Sequence, residues 1–168
     1  MAISPYVRRL REALGTELLV LPSVTGIVFD AEDRILLVRQ ADSGVWSAPG
    51  GVVEANEAPA DAVVREVWEE TGLETTPTRL LGVYGGPPCV VTYPNGDRTS
   101  YVMIVFECAV RSGTLRAQSD ETTAAAYIAA DELSALRTSP WVRHVLSGLY
   151  NRSRFAHFEP VRWRPSSA

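Results

Sequence analysis

GVVEANEAPADAVVREVWEETGL, residues 51–73, is the most informative segment of this 168-residue chain. Pro59 suits the first turn of a helix, where its missing N–H costs little, and Gly72 suits the left-handed residue that commonly ends one. Apolar residues recur between them at helical spacing. The segment therefore predicts a helix over about residues 59–71. Its N-terminal cap is expected to be one of two polar residues, Asn56 or Glu57.

Three acids share one face of the predicted helix. At about 100° per residue, Glu66, Glu69 and Glu70 fall within an arc of roughly 100°. Like charges at this spacing cost roughly 0.2–0.5 kcal/mol for each exposed pair. Arg65 is the one basic residue nearby, and it is expected to point to a neighbouring face. A solvated acidic face is one explanation, and a Mg²⁺ site is the other, because Mg²⁺ prefers oxygen ligands and often bridges to phosphates.

The spacing of the fixed residues favours the metal site. The segment matches the Nudix box at every defined position: Gly51, Glu57, Arg65-Glu66-Val67, Glu69-Glu70 and Gly72-Leu73. The preceding residues 46–50, Trp-Ser-Ala-Pro-Gly, also resemble the usual entry into that box. On these motifs the chain resembles the Nudix hydrolase superfamily of MutT-type enzymes over about residues 22–136. The resemblance implies an α/β (α+β) fold, an αβα sandwich with a mixed, curved β-sheet.

The resemblance also implies a metal centre. Glu66, Glu69 and Glu70 match the metal-binding carboxylates of the family. Gly50 matches the position whose backbone carbonyl often adds a ligand. Mg²⁺, or Mn²⁺ in its place, is therefore the expected cofactor. The implied reaction is attack of water on a phosphorus atom of a nucleoside diphosphate that is linked to another group, X.

Roles for the other charged residues follow from the same resemblance. Arg65 and Glu57 match a pair that usually acts structurally, in which the arginine orients a carboxylate and the glutamate holds the arginine. The general base differs among Nudix enzymes, and Glu69 is the first choice here, with Glu121 as the alternative. Residues 119–122, Ser-Asp-Glu-Thr, are equally well explained as a solvated turn or a helix cap.

Residues outside the box are expected to select X. Trp46 could stack a base, although packing in the core also explains it. Arg39, at the end of a strand, could contact a phosphate or simply lie on the surface. Tyr84, Tyr93 and Arg98 cluster around the loop after the box and could line a nucleoside pocket. ADP-ribose or another nucleotide sugar, and a (deoxy)nucleoside triphosphate, are near-equal candidate substrates.

Composition bounds the remaining possibilities. With 168 residues, 46% hydrophobic and 21% charged, the chain fits a single domain over residues 1–168 with its own core. A net charge of −4 argues against nucleic acid as a partner. Cys89 and Cys108 lie in apolar runs without metal-ligand spacing, so buried free thiols are expected. The N-terminus has no long apolar run, which predicts no membrane segment and a cytoplasmic location.

The segments around the box complete the expected fold. An N-terminal helix is predicted at about residues 5–14, and a C-terminal helix and tail at about 139–168. A short helix capped by Asp131 is expected at about 131–136. Asn-Gly at residues 95–96, between two β-rich runs, is a strong hairpin signal. Strands are predicted at about residues 18–21, 24–29, 35–39, 78–84, 90–93, 99–110 and 124–128. The arginine-rich, aromatic tail offers surface for a possible homodimer.

Two other functions stay open. One is a non-catalytic, nucleotide-sensing Nudix module, but such modules usually lose box acids, and this chain keeps them all. The other is isomerisation of an isoprenoid diphosphate by a relative of the same fold. That chemistry requires a well-placed cysteine, Cys89 or Cys108, and the complete hydrolase box argues against it.

Overall fold

A computed structural model describes residues 4–117, 120–150 and 153–164 of the chain. It contains three α-helices: α1 (Pro5–Leu14), α2 (Pro59–Thr71) and α3 (Pro140–Leu149). The strands are β1 (Leu18–Ile27), β2 (Ile35–Gln40), β3 (Trp46–Ser47), β4 (Gly50–Val52), β5 (Leu73–Tyr84), β6 (Val90–Thr92), β7 (Arg98–Gly113), β8 (Thr122–Ile128) and β9 (His157–Phe158). Ser119, beside the proposed base Glu121, and parts of the predicted tail at 151–152 and 165–168 lie outside the described residues.

The strands form two sheets. The larger has the order β4-β1-β7-β5-β9, with β6 also paired to β7, and the smaller has the order β3-β2-β8. β1 runs parallel to β7, whereas β5 runs antiparallel to it, so the larger sheet is mixed. The β5–β7 register shifts at three points along its length. Such irregularities bend the strand that carries them, and the predicted mixed, curved sheet is confirmed.

Helices cover both faces of these sheets. Successive side chains of a strand point to opposite faces, and β2 shows the result. Leu36 joins the buried cluster that packs against α2, whereas Ile35 and Leu37 join the cluster that packs against α3. All three side chains are fully buried. This helix–sheet–helix layering is the sandwich that the sequence predicts.

The α2 helix has the predicted bounds but not the predicted N-terminal cap. Gly72 ends it in the left-handed conformation, with φ of 72°. Ala58 occupies the N-cap position and makes no side-chain cap hydrogen bond. The expectation of Asn56 or Glu57 as the cap is therefore wrong. Asn56 lies in the preceding turn with φ of 67°, and the Glu57 carboxylate instead accepts hydrogen bonds from Arg65.

Several other elements differ from their predicted bounds. The two predicted strands at 18–21 and 24–29 form the single strand β1, because β7 pairs with it along its whole length. β5 begins at Leu73, directly after α2, rather than at residue 78. The predicted helix after Asp131 is a 3₁₀ turn at Glu132–Ala135, with Asp131 as its cap. The hairpin at residues 95–96 is present between β6 and β7.

The two cysteines are separate and reduced. Cys89 lies in the cluster under α3 and Cys108 in the cluster under α2. Both are buried and free, as expected. Burial raises the pKa of the Cys108 thiol to about 12. In the described part of the chain, no helix has the length and apolar character needed to cross a membrane.

Candidate active site

The exposed side of α2 lines a cleft of about 600 Å³. Glu66 and Glu69 line it from α2, and Glu121 lines it from the turn that precedes β8. The backbone carbonyl of Glu121 accepts a hydrogen bond from the Ala41 amide at 2.8 Å. The volume lies within the roughly 300–1,000 Å³ of most small-molecule sites. Both candidate general bases, Glu69 and Glu121, therefore face the same cavity.

A smaller cavity of about 180 Å³ adjoins this cleft. The two share Asp42, Tyr93 and Tyr101 as lining residues. Met103 and Trp141 give the smaller cavity an apolar wall. The hydroxyl groups of Tyr93 and Tyr101 lie 2.6 Å apart, and burial raises the pKa of Tyr93. The two cavities thus offer a wide acidic compartment and a narrow, largely apolar one.

Arg65 organises the acids of the box. Its Nη1 donates to Glu66 Oε1 at 2.8 Å and to Glu69 Oε2 at 3.1 Å. Its Nε and Nη2 donate to the two carboxylate oxygens of Glu57 at 2.8 and 2.9 Å. The expectation that Arg65 points away from the acidic face is therefore wrong. Its long side chain reaches back across α2 and offsets the repulsion between two of the three acids.

Glu57 accepts the two hydrogen bonds from Arg65 Nε and Nη2. Its carboxylate also accepts a hydrogen bond from the Glu54 amide at 2.9 Å. The hydrogen bonds from Arg65 hold the pKa of Glu57 below its usual value, and Glu57 in turn raises the pKa of Arg65. The structure thus brings together the two residues that the sequence assigns to a structural pair.

Glu70 is the most deeply buried of the box acids, with 3% of its surface exposed. The Gly50 amide donates to its Oε2 at 3.1 Å, and Gln40 Nε2 lies 3.4 Å from its Oε1. Burial raises the pKa of Glu70 to about 8. A carboxylate held in such a place is stabilised in its charged form by a nearby cation.

Glu66 is also partly shielded, and the backbone makes room for it. Burial raises its pKa despite the neighbouring guanidinium of Arg65. A Cβ added at Gly51 would overlap the Glu66 carboxyl group. Glycine at position 51 therefore allows the loop before α2 to approach this acid closely.

The box acids suit a hard cation by their chemistry, since Mg²⁺ takes oxygen ligands. As the side chains stand, no three acidic, histidine or cysteine groups within the described ranges converge to hold a metal ion. Glu66 and Glu69 are turned to Arg65, and Glu70 is turned to the Gly50 amide. Arg65 contacts one carboxylate oxygen of Glu66 and one of Glu69. The metal set of Glu66, Glu69, Glu70 and Gly50 stays a prediction.

Two predicted substrate-binding residues lie outside both cavities. Arg39 is exposed, and its Nε donates to the Gly44 carbonyl at 3.3 Å. Trp46, its partner in the β2–β3 register, packs against the cluster under α3. Neither residue is among the described residues that line the two cavities. Packing against the core explains the position of Trp46, and the role of both side chains in substrate binding stays a prediction.

The predicted group of Tyr84, Tyr93 and Arg98 is not a single cluster. Tyr84 is 4% exposed and stacks on His157, with ring centroids 4.6 Å apart, because β5 turns it into the core. Arg98 is exposed and lines neither cavity, although its carbonyl accepts a hydrogen bond from Arg11. Only Tyr93, of these three, lines the cleft. The binding role assigned to all three residues stays a prediction.

Part of the cleft wall was not expected from the sequence. Val7 and Arg11 of α1 line the same cavity as Glu66 and Glu69. Tyr101 also lines it, and alternation along β7 could have indicated that Tyr101 and Met103 share a face. No local signal could place α1 there, since the hairpin contacts of Arg11 lie more than 80 residues away in the sequence.

Comparison with known proteins agrees with this site. The family model described as the NUDIX domain matches residues 20–149. A MutT-like protein of Streptomyces ambofaciens is 36% identical over 127 residues, which cover 76% of this chain and 75% of that protein. A putative ADP-ribose pyrophosphatase of Bacillus subtilis is 36% identical over 118 residues, which cover 67% of this chain and only 52% of that protein.

A solved structure shows the same fold. A Nudix hydrolase from Nitrosomonas europaea superposes with a TM-score of 0.66 at 26% identity, covering 81% of this chain and 92% of that one. The chain therefore belongs to the Nudix family. The predicted class, a Nudix pyrophosphohydrolase acting on phosphorus-containing anhydrides, is confirmed.

Proposed function

We propose that this chain hydrolyses the diphosphate bond of a nucleoside diphosphate linked to another group X. The supporting observation is that Glu66, Glu69 and Glu121 line one cleft of about 600 Å³. ADP-ribose or another nucleotide sugar, and a (deoxy)nucleoside triphosphate, are the candidate substrates. Two relatives are named as ADP-ribose pyrophosphatases, one of them only putatively. The protein is proposed to act as a single cytoplasmic domain, either alone or as a homodimer.

Mg²⁺ or Mn²⁺ is the proposed cofactor. Glu66, Glu69 and Glu70 would hold it, together with the carbonyl of Gly50. When bound, a divalent cation neutralises diphosphate oxygens and lowers the pKa of the attacking water. The support for this assignment is the buried carboxylate of Glu70, whose charge lacks the solvation that water would give it.

The other charged side chains of the site have proposed roles in catalysis or in positioning. Glu69 is the proposed general base, and Glu121 is the alternative in the same cleft. Arg65 positions Glu66 and Glu69 through its Nη1. Glu57 fixes Arg65 through two hydrogen bonds. Catalysis then depends on positioning and electrostatics rather than on a covalent intermediate.

The smaller cavity is the proposed nucleoside compartment. Its lining by Tyr93, Tyr101, Met103 and Trp141 suits a flat, partly apolar base. It adjoins the acidic cleft, so a base bound there places its diphosphate beside the box. The two buried cysteines line neither cavity within the described residues, which gives no support to chemistry at a thiol.

A substrate panel tests this function. The protein is incubated with nucleotide sugars, dinucleotides and nucleoside triphosphates, with Mg²⁺ or Mn²⁺, and the products are read by mass spectrometry. The expected result is cleavage between two phosphorus atoms of at least one class. A parallel incubation with excess EDTA should abolish turnover. No product from any member of the panel would contradict the proposal.

A further inference from the structure

The N-terminal helix belongs to the cleft although it lies outside the family match. The Nudix model matches residues 20–149, and α1 ends at Leu14. Nevertheless Ser4 and Val7 line the cleft that contains the box acids. This part of the cleft wall therefore lies outside the segment that the family model matches.

The α1 helix contributes little to the hydrophobic core. None of its residues is fully buried. A narrow stripe of three residues, Val7, Leu10 and Arg11, is partly shielded, and the rest of the helix is exposed. Helices in globular proteins usually gain their stability by burying an apolar face. Because α1 buries so little, its place over the cleft calls for another explanation than core packing.

Arg11 joins this helix to residues 97–99, at the end of the β6–β7 turn and the start of β7. Its Nη2 donates to the Arg98 carbonyl at 2.7 Å and to Thr99 Oγ1 at 2.9 Å. Its Nε lies 3.5 Å from Asp97 Oδ2. Its Nη1 donates to the carbonyls of Gly15 and Glu17. One side chain thus joins α1 to the turn between β6 and β7, and the two elements form a continuous wall.

The charges of the cleft are unfavourable for an additional phosphate. Among the described residues, six carboxylates line it against two guanidinium groups. In each of those groups, Arg11 and Arg65, all three nitrogens already contact protein oxygens. A divalent cation compensates the diphosphate at the box. A further phosphate in X would face carboxylates without a cation of its own.

The wall formed by α1 and the turn suits hydroxyl groups instead. Ser4 and Thr99 accept hydrogen bonds from protein groups through their hydroxyl oxygens and keep their own hydrogens to donate. Asp42 and Glu54 line the same cleft as acceptors. Donors and acceptors that line one cleft match the hydroxyls of a sugar, which both donate and accept hydrogen bonds.

We propose that α1 and the β6–β7 turn, joined by Arg11, form the part of the cleft that binds X. They select an uncharged, hydroxyl-bearing X, so that the substrate is a nucleoside diphosphate sugar rather than a nucleoside triphosphate. Arg11 is a positioning residue in this arrangement, because it holds the wall and does not contact substrate. The inference rests on the proposed pyrophosphatase function and chooses between its two substrate classes.

Two substrates that share adenosine diphosphate test the selection. ADP-ribose carries an uncharged sugar as X, and ATP carries a phosphate. With Mg²⁺, kcat/KM for ADP-ribose should exceed that for ATP by roughly tenfold or more. A preference for ATP would overturn the inference while leaving the pyrophosphatase function intact. Should neither adenine nucleotide be turned over, the same comparison is made with the sugar and triphosphate of the base that the substrate panel identifies. No product from the whole panel would overturn the proposed function and the inference together.

A charge placed in the wall tests the physical reason. Val7→Lys puts a cation into the cleft, and Val7→Gln is its neutral control. The lysine variant should raise the ratio of ATP to ADP-ribose specificity by roughly fivefold over the glutamine variant, at low ionic strength. An unchanged ratio would show that α1 does not face X.

Removing the anchor tests the positioning role. Arg11→Ala should raise KM for ADP-ribose by roughly tenfold and change kcat less than about twofold, because the box is untouched. KM for ATP should change little. Arg8→Ala, at an exposed position on the same helix, should behave as wild type. A fall in kcat without a change in KM would overturn the positioning role. If Arg11→Ala does not fold, the comparison of Val7→Lys with Val7→Gln tests whether α1 faces X.

Discussion

Two helices line the same cleft, and they are held in different ways. The α2 helix buries five residues, among them Val63 and Val67, and its acids meet the cleft beside a buried core. The α1 helix buries none, and Arg11 provides its polar contacts with the distant β6–β7 turn. Packing along its length fixes α2, whereas α1 is only partly shielded and, among the described residues, Arg11 donates the side-chain hydrogen bonds of α1 to β7.

This difference separates the two tasks of the site. The proposed sharing of a metal and a diphosphate by these carboxylates needs accurate placement, which a packed helix provides. A wall that recognises X can vary without disturbing the core behind α2. The family match follows the same division, since it includes α2 and begins after α1. We therefore propose that α2 carries the catalytic acids and that α1 contributes to the selection of X.

The largest expected effect is on turnover, at the packed helix. Glu70→Gln and Glu69→Gln should each lower kcat by roughly 100-fold or more, because a neutral amide replaces a charge of the proposed metal site. Steady-state kinetics with Mg²⁺ measure the effect, and circular dichroism melting checks the fold. Stability should change little, since Glu70 sits buried without a cation and its charge is costly there. Glu74→Gln, at an exposed acid on β5, is the matched control. Rates near wild type in both variants would refute the metal assignment.

Metal binding should stabilise the fold through α2 and not through α1. At Mg²⁺ about 100-fold above its dissociation constant, a single site adds about 2–3 kcal/mol to the free energy of unfolding. Thermal melting with Mg²⁺ and with EDTA should show this gain in wild type and in Arg11→Ala, and lose most of it in Glu70→Gln. An equal gain in all three proteins would place the cation elsewhere.

The Glu57–Arg65 contact should give a pH-dependent stability. Arg65 holds the pKa of Glu57 below its unfolded value, so its stabilisation is present above the unfolded pKa and is lost as pH falls through the folded one. Glu57→Gln should therefore cost about 1–2 kcal/mol at pH 7. The difference from wild type should shrink in acid, as the pH falls through the lowered pKa of folded Glu57. Urea unfolding at neutral and at acidic pH measures it, and a constant difference would argue for packing rather than charge.

The smallest expected effect is on stability, at the anchored helix. Arg11→Ala should lower the free energy of unfolding by about 1 kcal/mol, because α1 buries no residue and water can replace much of the contact. Val67→Ala, at a fully buried position of α2, should cost roughly 2 kcal/mol or more. Chemical denaturation compares the two. A larger loss from Arg11→Ala would make α1 part of the core structure and remove the contrast between the helices.

Local sequence signals were sufficient for most of the fold. The bounds of α1 and α2, the hairpin at residues 95–96 and the turn at Gly72 follow from periodicity, proline and glycine, which act within a few residues. Strand ends do not follow from local preference, because pairing with β7 extends β1 and β5. The cap of α2 was misassigned because Glu57 has a stronger partner in Arg65.

The sequence alone identified the family and the acids of the box, because their function depends on spacing within one helix. It could not show that Arg65 reaches Glu69, that Tyr84 turns into the core, or that α1 closes the cleft. Each of these depends on a side-chain direction or on a contact between distant segments. Such contacts exist only after the sheets have paired, so the substrate wall became visible only in the folded chain.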